Sequence, residues 1–334
     1  MTSPSVSVLI VNWNTRDLLA ECLASLQTAE PEGVLEIVVV DNGSGDGSVE
    51  MVRTRFPSVV LVVNSENAGF AAAVNQADAA ASAPFRLLLN SDTVVPAGVI
   101  SGCRDHLVAT PGVAALGCRL LNVDGSHQSS VFRFPSLRGL LFNALYLSQV
   151  FRTHPTLNWD RYGFGDWSEI RTVDVVMGSF LLVRREVVSA DEPLLDDGYF
   201  MYGEETDLCR RIVDQGERVE FHPGFAITHV HGGSSKTPGQ LAWAEESKRR
   251  GQLRFLRRRR AAPVAWSANL ILLVGLVPRW WAWTALDALD RLRGRASSGR
   301  RLRAGVARFH LRALVDLTVL DEPWGPPPAK DPSS

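Results

Sequence analysis

The chain reads as an α/β protein built on a doubly wound sheet, and three observations predict it. Four short apolar runs in the first hundred residues alternate with helix-prone stretches. Each run ends on a cluster of polar residues. After Ser247 the composition turns basic and tryptophan-rich, which sets off a separate helical region.

Val6–Val11 opens the alternation as a run of the kind that fills a sheet buried on both faces. Thr15–Leu26 follows as a helix with Leu18, Leu19, Cys22, Leu23 and Leu26 on one face, and Asp17 and Glu21 in its early turns. Leu35–Val40, Val59–Val63 and Phe85–Leu89 are the next strands, with the Ala-rich Phe70–Ala83 as an intervening helix. Ligands of such sheets sit beyond the carboxyl ends of the strands. Asn12-Trp13-Asn14, Asp41-Asn42-Gly43, Asn64 to Asn67 and Asn90-Ser91-Asp92 stand at those four ends.

From about Gly117 to Ile170 the pattern loosens, with a turn signal at Asp124-Gly125 and several aromatics, and reads as a substrate-side insertion. Val173–Val183 returns to strand character, and Tyr202–Gln215 is a helix behind a carboxylate-rich turn. The expected division is a catalytic domain over 1–246, a helical region over 247–322 and a disordered Pro-rich tail over 323–334.

With 334 residues, 46% hydrophobic and 21% charged, the chain is not mainly disordered and can bury a core without staples. Cys22, Cys103, Cys118 and Cys209 are scattered, so neither a disulfide framework nor a zinc knuckle is indicated and a reducing compartment fits. Met1–Ser5 carries no positive n-region, so the expected location is the cytosol or the cytosolic side of a membrane. The net charge of −1 conceals an asymmetry. Residues 248–312 hold 17 Lys and Arg against two acids, while the rest holds 18 basic and 34 acidic residues. An acidic body suits a cation, and a basic tail suits an anionic surface.

Asn90 and Asp92, two apart in extended chain, project to the same side and can hold a hard divalent ion against a diphosphate. An Asx turn leading into the next helix uses the same residues. Asp41 can accept the imide N3–H of uracil or thymine, while the glycines of Gly43-Ser44-Gly45-Asp46-Gly47 let backbone approach a ligand. A stocked strand–helix turn is the competing reading. No GxGxxG fingerprint follows the first strand, which sets aside a dinucleotide-dependent oxidoreductase.

Glu204, Glu205 and Asp207 crowd a helix start, where acids complement the dipole. The preceding Tyr199-Phe200-Met201-Tyr202 is apolar enough to desolvate at least one of them and suit it to general-base work. Glu204 and Asp207 share a face and can pair with Arg210 or Arg211, leaving Glu205 to project differently. His229 and His231, two apart in a strand, project to one side, where either can join a metal site.

Together these clusters resemble the inverting, nucleotide-sugar-dependent glycosyltransferases of family 2, with the GT-A fold, and among them the bacterial rhamnosyltransferases. Val8 to Asn14, Val39 to Ser44, Asn67-Ala68-Gly69-Phe70 and Leu88 to Thr93 resemble the family's nucleotide half. Asp174 to Phe180 is similar to its acceptor-side strand, Phe200 to Leu208 to its acidic catalytic turn, and His229 to Ser234 to its closing metal loop. The likeness covers about residues 5–236.

The resemblance implies roles residue by residue. Asp41 would contact the nucleobase with Asn12 beside it, and Asn14, Asn42, Asn67, Gly69, Asn90 and Ser91 would line the donor side. Asp92 would bind Mg2+ or Mn2+ bridging the diphosphate, with His229, or alternatively His231, as the late ligand. Glu205 would deprotonate the acceptor hydroxyl, with Glu204 the alternative base. Met177, Gly178 and Asp207 would lie on the acceptor side. Two departures stand out: Asn90 where the family often has an acid, and Glu204-Glu205 where it often has Glu-Asp.

In the tail, Arg257–Arg260 precedes Val264–Val277, whose 14 mostly apolar residues fall short of a span. Crossing a bilayer takes ~20. Trp266, Trp280, Trp281 and Trp283 flank it as interfacial anchors do. The expectation is helices lying on, or re-entering, an anionic leaflet; packing of the stripe on the catalytic body is the alternative. No groove-reading motif points to nucleic acid.

The expected function is a metal-dependent, inverting transfer of a sugar, rhamnose from a dTDP (or UDP) donor, to a lipid-linked or cell-envelope glycan. It would take place on the cytoplasmic side of the plasma membrane. The alternative is a non-catalytic nucleotide-binding protein on a degenerate GT-A scaffold.

Overall fold

The computed structural model describes residues 4–162, 168–189, 191–230, 238–275 and Arg312, without the side chains of 238–242 and 245. Chain order begins β1 (Val6–Asn12), α1 (Arg16–Ala29), β2 (Leu35–Asn42), α2 (Ser48–Arg55), β3 (Val60–Asn64) and α3 (Phe70–Ala79). It continues with β4 (Phe85–Asn90), β5 (Thr93–Val94), α4 (Val99–Ala109), β6 (Val113–Leu121), β7 (His127–Gln128) and β8 (Val131–Phe132). Helices α5 (Leu137–Ala144) and α6 (Leu147–Val150) come next, then β9 (Arg171–Val173), β10 (Val175–Val176) and β11 (Phe180–Arg184). Helix α7 (Glu204–Asp214), β12 (Arg218–His229) and α8 (Pro238–Arg259) follow.

The main sheet runs β3-β2-β1-β4-β11-β6-β12-β5. Its first four strands are parallel and in register, with Asn12 opposite Asp41 and Asp41 opposite Val63. Burial on both faces explains the near-continuous apolar runs of β1, β2 and β4, where Val8, Leu9, Ile10, Val38, Val39, Val40, Leu87, Leu88 and Leu89 are all buried, whereas β3 at the sheet edge leaves Val60 and Val63 exposed. The sheet is mixed beyond β4. Strand β11 lies antiparallel to both β4 and β6, and β12 then runs parallel to β6.

The stretch 173–183 is divided among three strands, not one. Asp174 breaks the run by accepting the Phe134 N–H at 3.0 Å, and 177–179 carries no strand pairing before Phe180. The Ala-rich helix stops at Ala79. Ser82 there turns its N–H and hydroxyl to the Glu36 carboxylate (2.7 and 3.0 Å), and Pro84 forbids continuation.

Helix α1 buries Leu19, Cys22, Leu23 and Leu26 on the face its periodicity predicts. Its Thr15 does not cap it: the hydroxyl points instead to Asn12 and Ser91, and Asp46 accepts the Arg16 N–H at 2.8 Å. A cap has been diverted into the polar cluster. All four cysteines are free and buried, and burial pushes the Cys22 and Cys209 thiols up to about 12, so they stay protonated and inert.

Where α3 meets β4, Asp78 bridges Arg86 (2.5 Å) and Arg185 (3.0 Å), with Arg86 and Asp78 both over 90% buried. Removing one member strands a buried charge. Asp78→Ala is expected to cost about 3–5 kcal/mol in urea unfolding; a loss under ~1 kcal/mol would place the arginines in water.

The chain divides into two compact units, residues 1–134 with 166–234, and 135–165 with 235–334. The first carries the sheet. The second holds α5, α6, α8 and the helical residues 262–275. Ser136 caps α5 through the Gly139 N–H, and Arg138 stacks over Trp159 at 4.1 Å. Gly275 lets the 262–275 helix approach α5, since a Cβ there would lie 2.7 Å from that of Ala144. No helix among the described residues is long and apolar enough to cross a membrane.

Candidate active site

The predicted polar clusters are joined by hydrogen bonds at the carboxyl ends of β1, β2 and β4. Asn12 donates to Asp41 Oδ2 at 2.8 Å and to Ser44 Oγ at 3.1 Å, and Asp41 Oδ1 accepts the Ser44 N–H at 2.9 Å. Asp41 is 2% exposed, yet each oxygen retains a second lone pair for a ligand. Asn14 sits at φ +55°, a conformation asparagine tolerates. There its Oδ1 accepts the Gly45 N–H at 2.9 Å and its N–H donates to Ser44. The Thr15 hydroxyl donates to Asn12 Oδ1 (2.7 Å) and lies 3.0 Å from Ser91 Oγ. One polar seam thus runs from Asp41 to Ser91.

A second cluster closes the β2–β3 side. Asn42 donates to Asn67 and the Gly69 carbonyl, and accepts from Asn64 and the Ala68 N–H. Gly69, at φ +92°, must be glycine twice over. Its conformation is left-handed, and a Cβ would meet the Phe200 carbonyl oxygen at 2.8 Å. That carbonyl accepts the Phe70 N–H at 2.7 Å, tying the turn before α7 to the loop that leads into α3.

Asp92 and His229, far apart in sequence, meet because β5 pairs antiparallel with the end of β12, His229 opposite Thr93. The Val230 N–H donates to the Asp92 carbonyl at 2.8 Å and locks that register. His229 Nε2 then lies 3.2 Å from Asp92 Oδ1 and 3.3 Å from Asn90 Nδ2. Neighbouring donors on one small hard cation stand about 3 Å apart, which follows from bonds of 2.0–2.2 Å. The pair therefore fits a divalent ion as one edge of its shell. No group of three His, Cys, Asp or Glu gathers for a metal among the described residues, so this edge needs ligand oxygens to complete it. His231 lies outside the described residues.

The acidic turn is built on backbone in the left-handed region, which suits Gly203 at φ +108° but strains Tyr202 at φ +70°. Helix α7 starts directly after it with Glu204. Glu204 is 4% exposed, and its Oε2 has no hydrogen-bond partner among the described residues. Burial, with the Glu205 carboxylate beside it, raises its pKa well above the usual value. Glu205 is half-buried and accepts the Gly203 N–H at 3.3 Å. Gly178 lies against it, 3.8 Å from Glu205 Cβ to the place a Gly178 Cβ would take. Met177 is fixed by donating its N–H to Ser130 O at 2.8 Å.

Desolvation thus falls on Glu204 and Asp207, with Glu205 less buried. Asp207 pairs with Arg211 at 3.3 Å, while Arg210 turns to Asp214 at 2.5 Å. Sequence reasoning placed Ser44 and Asn64 in the strand-end clusters but gave no site role to Thr15 or Gln128. Gln128 follows the Asp124-Gly125 turn, the one local signal that a hairpin could deliver it to the site.

Comparison with known proteins gives the same reading from a separate direction. The profile of glycosyl transferase family 2 matches residues 7–189. The N-acetylglucosaminyl-diphospho-decaprenol L-rhamnosyltransferase of Mycobacterium tuberculosis is 30% identical over 234 residues, 66% of this chain and 75% of that one. Rhamnosyltransferase WbbL of Escherichia coli is 44% identical over 61 residues, 18% of this chain and 22% of that one. Among solved structures, the mannosyltransferase PcManGT of Pyrobaculum calidifontis, in complex with GDP-Man and Mn2+, superposes with a TM-score of 0.52 at 19% identity. That match spans 96% of this chain and 86% of the other, and it shows the GT-A-like fold. Fold, ordered motifs and relatives agree: the chain belongs to glycosyl transferase family 2, close to its rhamnosyltransferases, and is a glycosyltransferase.

Proposed function

We propose that this glycosyltransferase moves rhamnose from a dTDP-linked donor to a lipid-linked acceptor ending in a diphospho-N-acetylglucosamine. The donor and acceptor are proposed from the name of the mycobacterial relative. The observation that carries the chemistry is the meeting of Asp92 and His229 in the same compact unit as the Glu204–Glu205 turn.

The reaction is a single displacement with inversion. The acceptor oxygen bonds to the anomeric carbon as Glu205 removes its proton, and the bond from that carbon to the diphosphate oxygen breaks. The diphosphate leaves with the electron pair. A Mg2+ or Mn2+ ion held by Asp92 and His229 would supply charge neutralisation for the leaving diphosphate. Asp41, with Asn12 behind it, accepts the N3–H of thymine, while Asn14, Asn42, Asn67, Gly69, Asn90 and Ser91 shape the donor side. Met177, Gly178 and Asp207 belong to the acceptor side.

We further propose that the second unit holds the protein on the anionic cytoplasmic leaflet, where such an acceptor is presented. Trp266, Leu270 and Val274, four residues apart on the 262–275 helix, are 43%, 37% and 59% exposed, and Arg257–Arg260 precede them.

The test supplies dTDP-rhamnose, UDP-glucose and GDP-mannose in turn to the protein on anionic vesicles carrying polyprenyl-diphospho-N-acetylglucosamine. Glycolipid should form only from dTDP-rhamnose, in the anomeric configuration opposite to the donor's, and should stop with EDTA. Binding should weaken on neutral vesicles. Transfer only from another donor, or nucleotide binding without any product, would overturn the assignment.

A further inference from the structure

The hairpin that carries Gln128 grips His229 at two points. Gln128 Nε2 donates to the His229 carbonyl at 2.7 Å, and Gln128 Oε1 lies 2.9 Å from His229 Nδ1. Which atom donates at that second contact follows from a chain of hydrogen bonds that reaches back to the hairpin turn.

The chain starts at Asp124, whose Oδ1 accepts both the Ser126 N–H (2.9 Å) and the Ser126 hydroxyl (2.6 Å). Those bonds lower the Asp124 pKa, so this carboxylate only accepts. With its proton committed, Ser126 Oγ accepts from Asn122 Nδ2 at 2.8 Å. Asn122 therefore turns Oδ1 toward Gln128, which donates to it from Nε2 at 2.6 Å. Both Nε2 protons of Gln128 are now spent, one on Asn122 and one on the His229 carbonyl. Its Oε1 is left to accept, and His229 must carry a proton on Nδ1.

We infer that Gln128 is a positioning residue: with the 122–128 hairpin behind it, it fixes His229 in the Nδ1–H form and aims the Nε2 lone pair at Asp92. The Asn90 amide nitrogen, 3.3 Å from Nε2, is a donor suited to that lone pair. An imidazole binds a cation only through an unprotonated nitrogen, and a hydrogen bond to the other nitrogen decides which one that is. Without Gln128 the ring can place its proton on Nε2, toward Asp92, and lose that capacity. The consequence for metal rests on the Asp92–His229 reading above; the tautomer itself does not.

Two readouts separate these. Nitrogen-15 spectra of the histidine rings, with His229 assigned from a His229→Gln sample, report where the proton sits in the metal-free protein at alkaline pH. Mn2+ uptake in the presence of dTDP, followed by loss of the free-ion EPR signal, reports affinity. Wild type is expected to show Nδ1–H and a bare Nε2. Gln128→Met is expected to mix the two tautomers and weaken Mn2+ binding about 10–100-fold, the usual effect of losing an outer partner of a metal-bound histidine. Gln128→Glu keeps an acceptor for Nδ1–H and should keep that tautomer, but with no proton for the His229 carbonyl or Asn122 Oδ1 it should not restore the full affinity.

A proton on Nε2 in wild type overturns the inference outright and needs no variant. Wild-type tautomer and wild-type Mn2+ affinity in a folded Gln128→Met overturn it as well. Absence of Mn2+ uptake by wild type would instead remove the metal reading and leave the tautomer to decide the role of Gln128.

Discussion

Asp92→Ala is expected to lower kcat/KM for sugar transfer by about 10³-fold or more while leaving the protein folded. The magnitude follows from the charge of the leaving diphosphate, whose neutralisation by a bound cation is worth several kcal/mol, each 1.4 being tenfold in rate. The fold should survive because the carbonyl of residue 92, which the substitution keeps, is what accepts the Val230 N–H. Asp92→Asn sharpens the test. It retains a side-chain oxygen and the side-chain volume but removes the charge. If charge neutralisation is the role, Asn should fail nearly as badly as Ala, and added Mn2+ should recover part of the rate in Asn alone. The measurement is steady-state transfer at several Mn2+ concentrations, beside thermal melts of each variant. Full activity in Asp92→Ala would remove Asp92 from the mechanism.

The residues that meet at this site were unequally visible in the sequence. The β1, β2 and β4 ends were legible because parallel strands buried on both faces leave continuous apolar runs, and a polar residue ending such a run marks the exit from the sheet. Asn12, Asp41 and Asn90 follow from that alone. The contact of Asp92 with His229 did not, because it depends on the pairing of a two-residue strand, Thr93–Val94, too short for any periodicity. Register between distant segments is set by the partners, not written in either one. The same holds for β11, which entered between β4 and β6 against the parallel direction, and for the division of 173–183 among three strands. Gln128 carries no mark of its own in the sequence beyond the Asp124-Gly125 turn before it. Only the curl of the hairpin onto His229 gives it a task. The sequence placed three acids at the start of α7, but which of them loses its water is a property of the tertiary packing, and the packing chose Glu204.

That choice separates the two glutamates in an experiment. Glu205→Gln is expected to bind donor normally and to lose about 10²–10⁴-fold in turnover, the usual contribution of a positioned general base. Glu204→Gln should remain within a few-fold of wild type, since a buried carboxyl that holds its proton resembles the amide that replaces it. Stability should report the same difference through pH. Below the ordinary glutamate value of 4.5, folded and unfolded chains both keep the Glu204 proton, and burial carries no ionisation penalty. Above it the unfolded chain ionises while the folded chain keeps its proton. Wild-type stability therefore falls with rising pH, by up to about 1.4 kcal/mol per unit, until the raised folded value is reached. Glutamine has no proton to lose. Melting temperatures of Glu204→Gln should thus gain progressively on wild type as the pH rises above 4.5, whereas Glu205→Gln should lack a gain of that size. If instead Glu204→Gln abolished turnover and Glu205→Gln spared it, the base would be Glu204. Its desolvation, which here keeps it neutral, would then be the device that makes it basic.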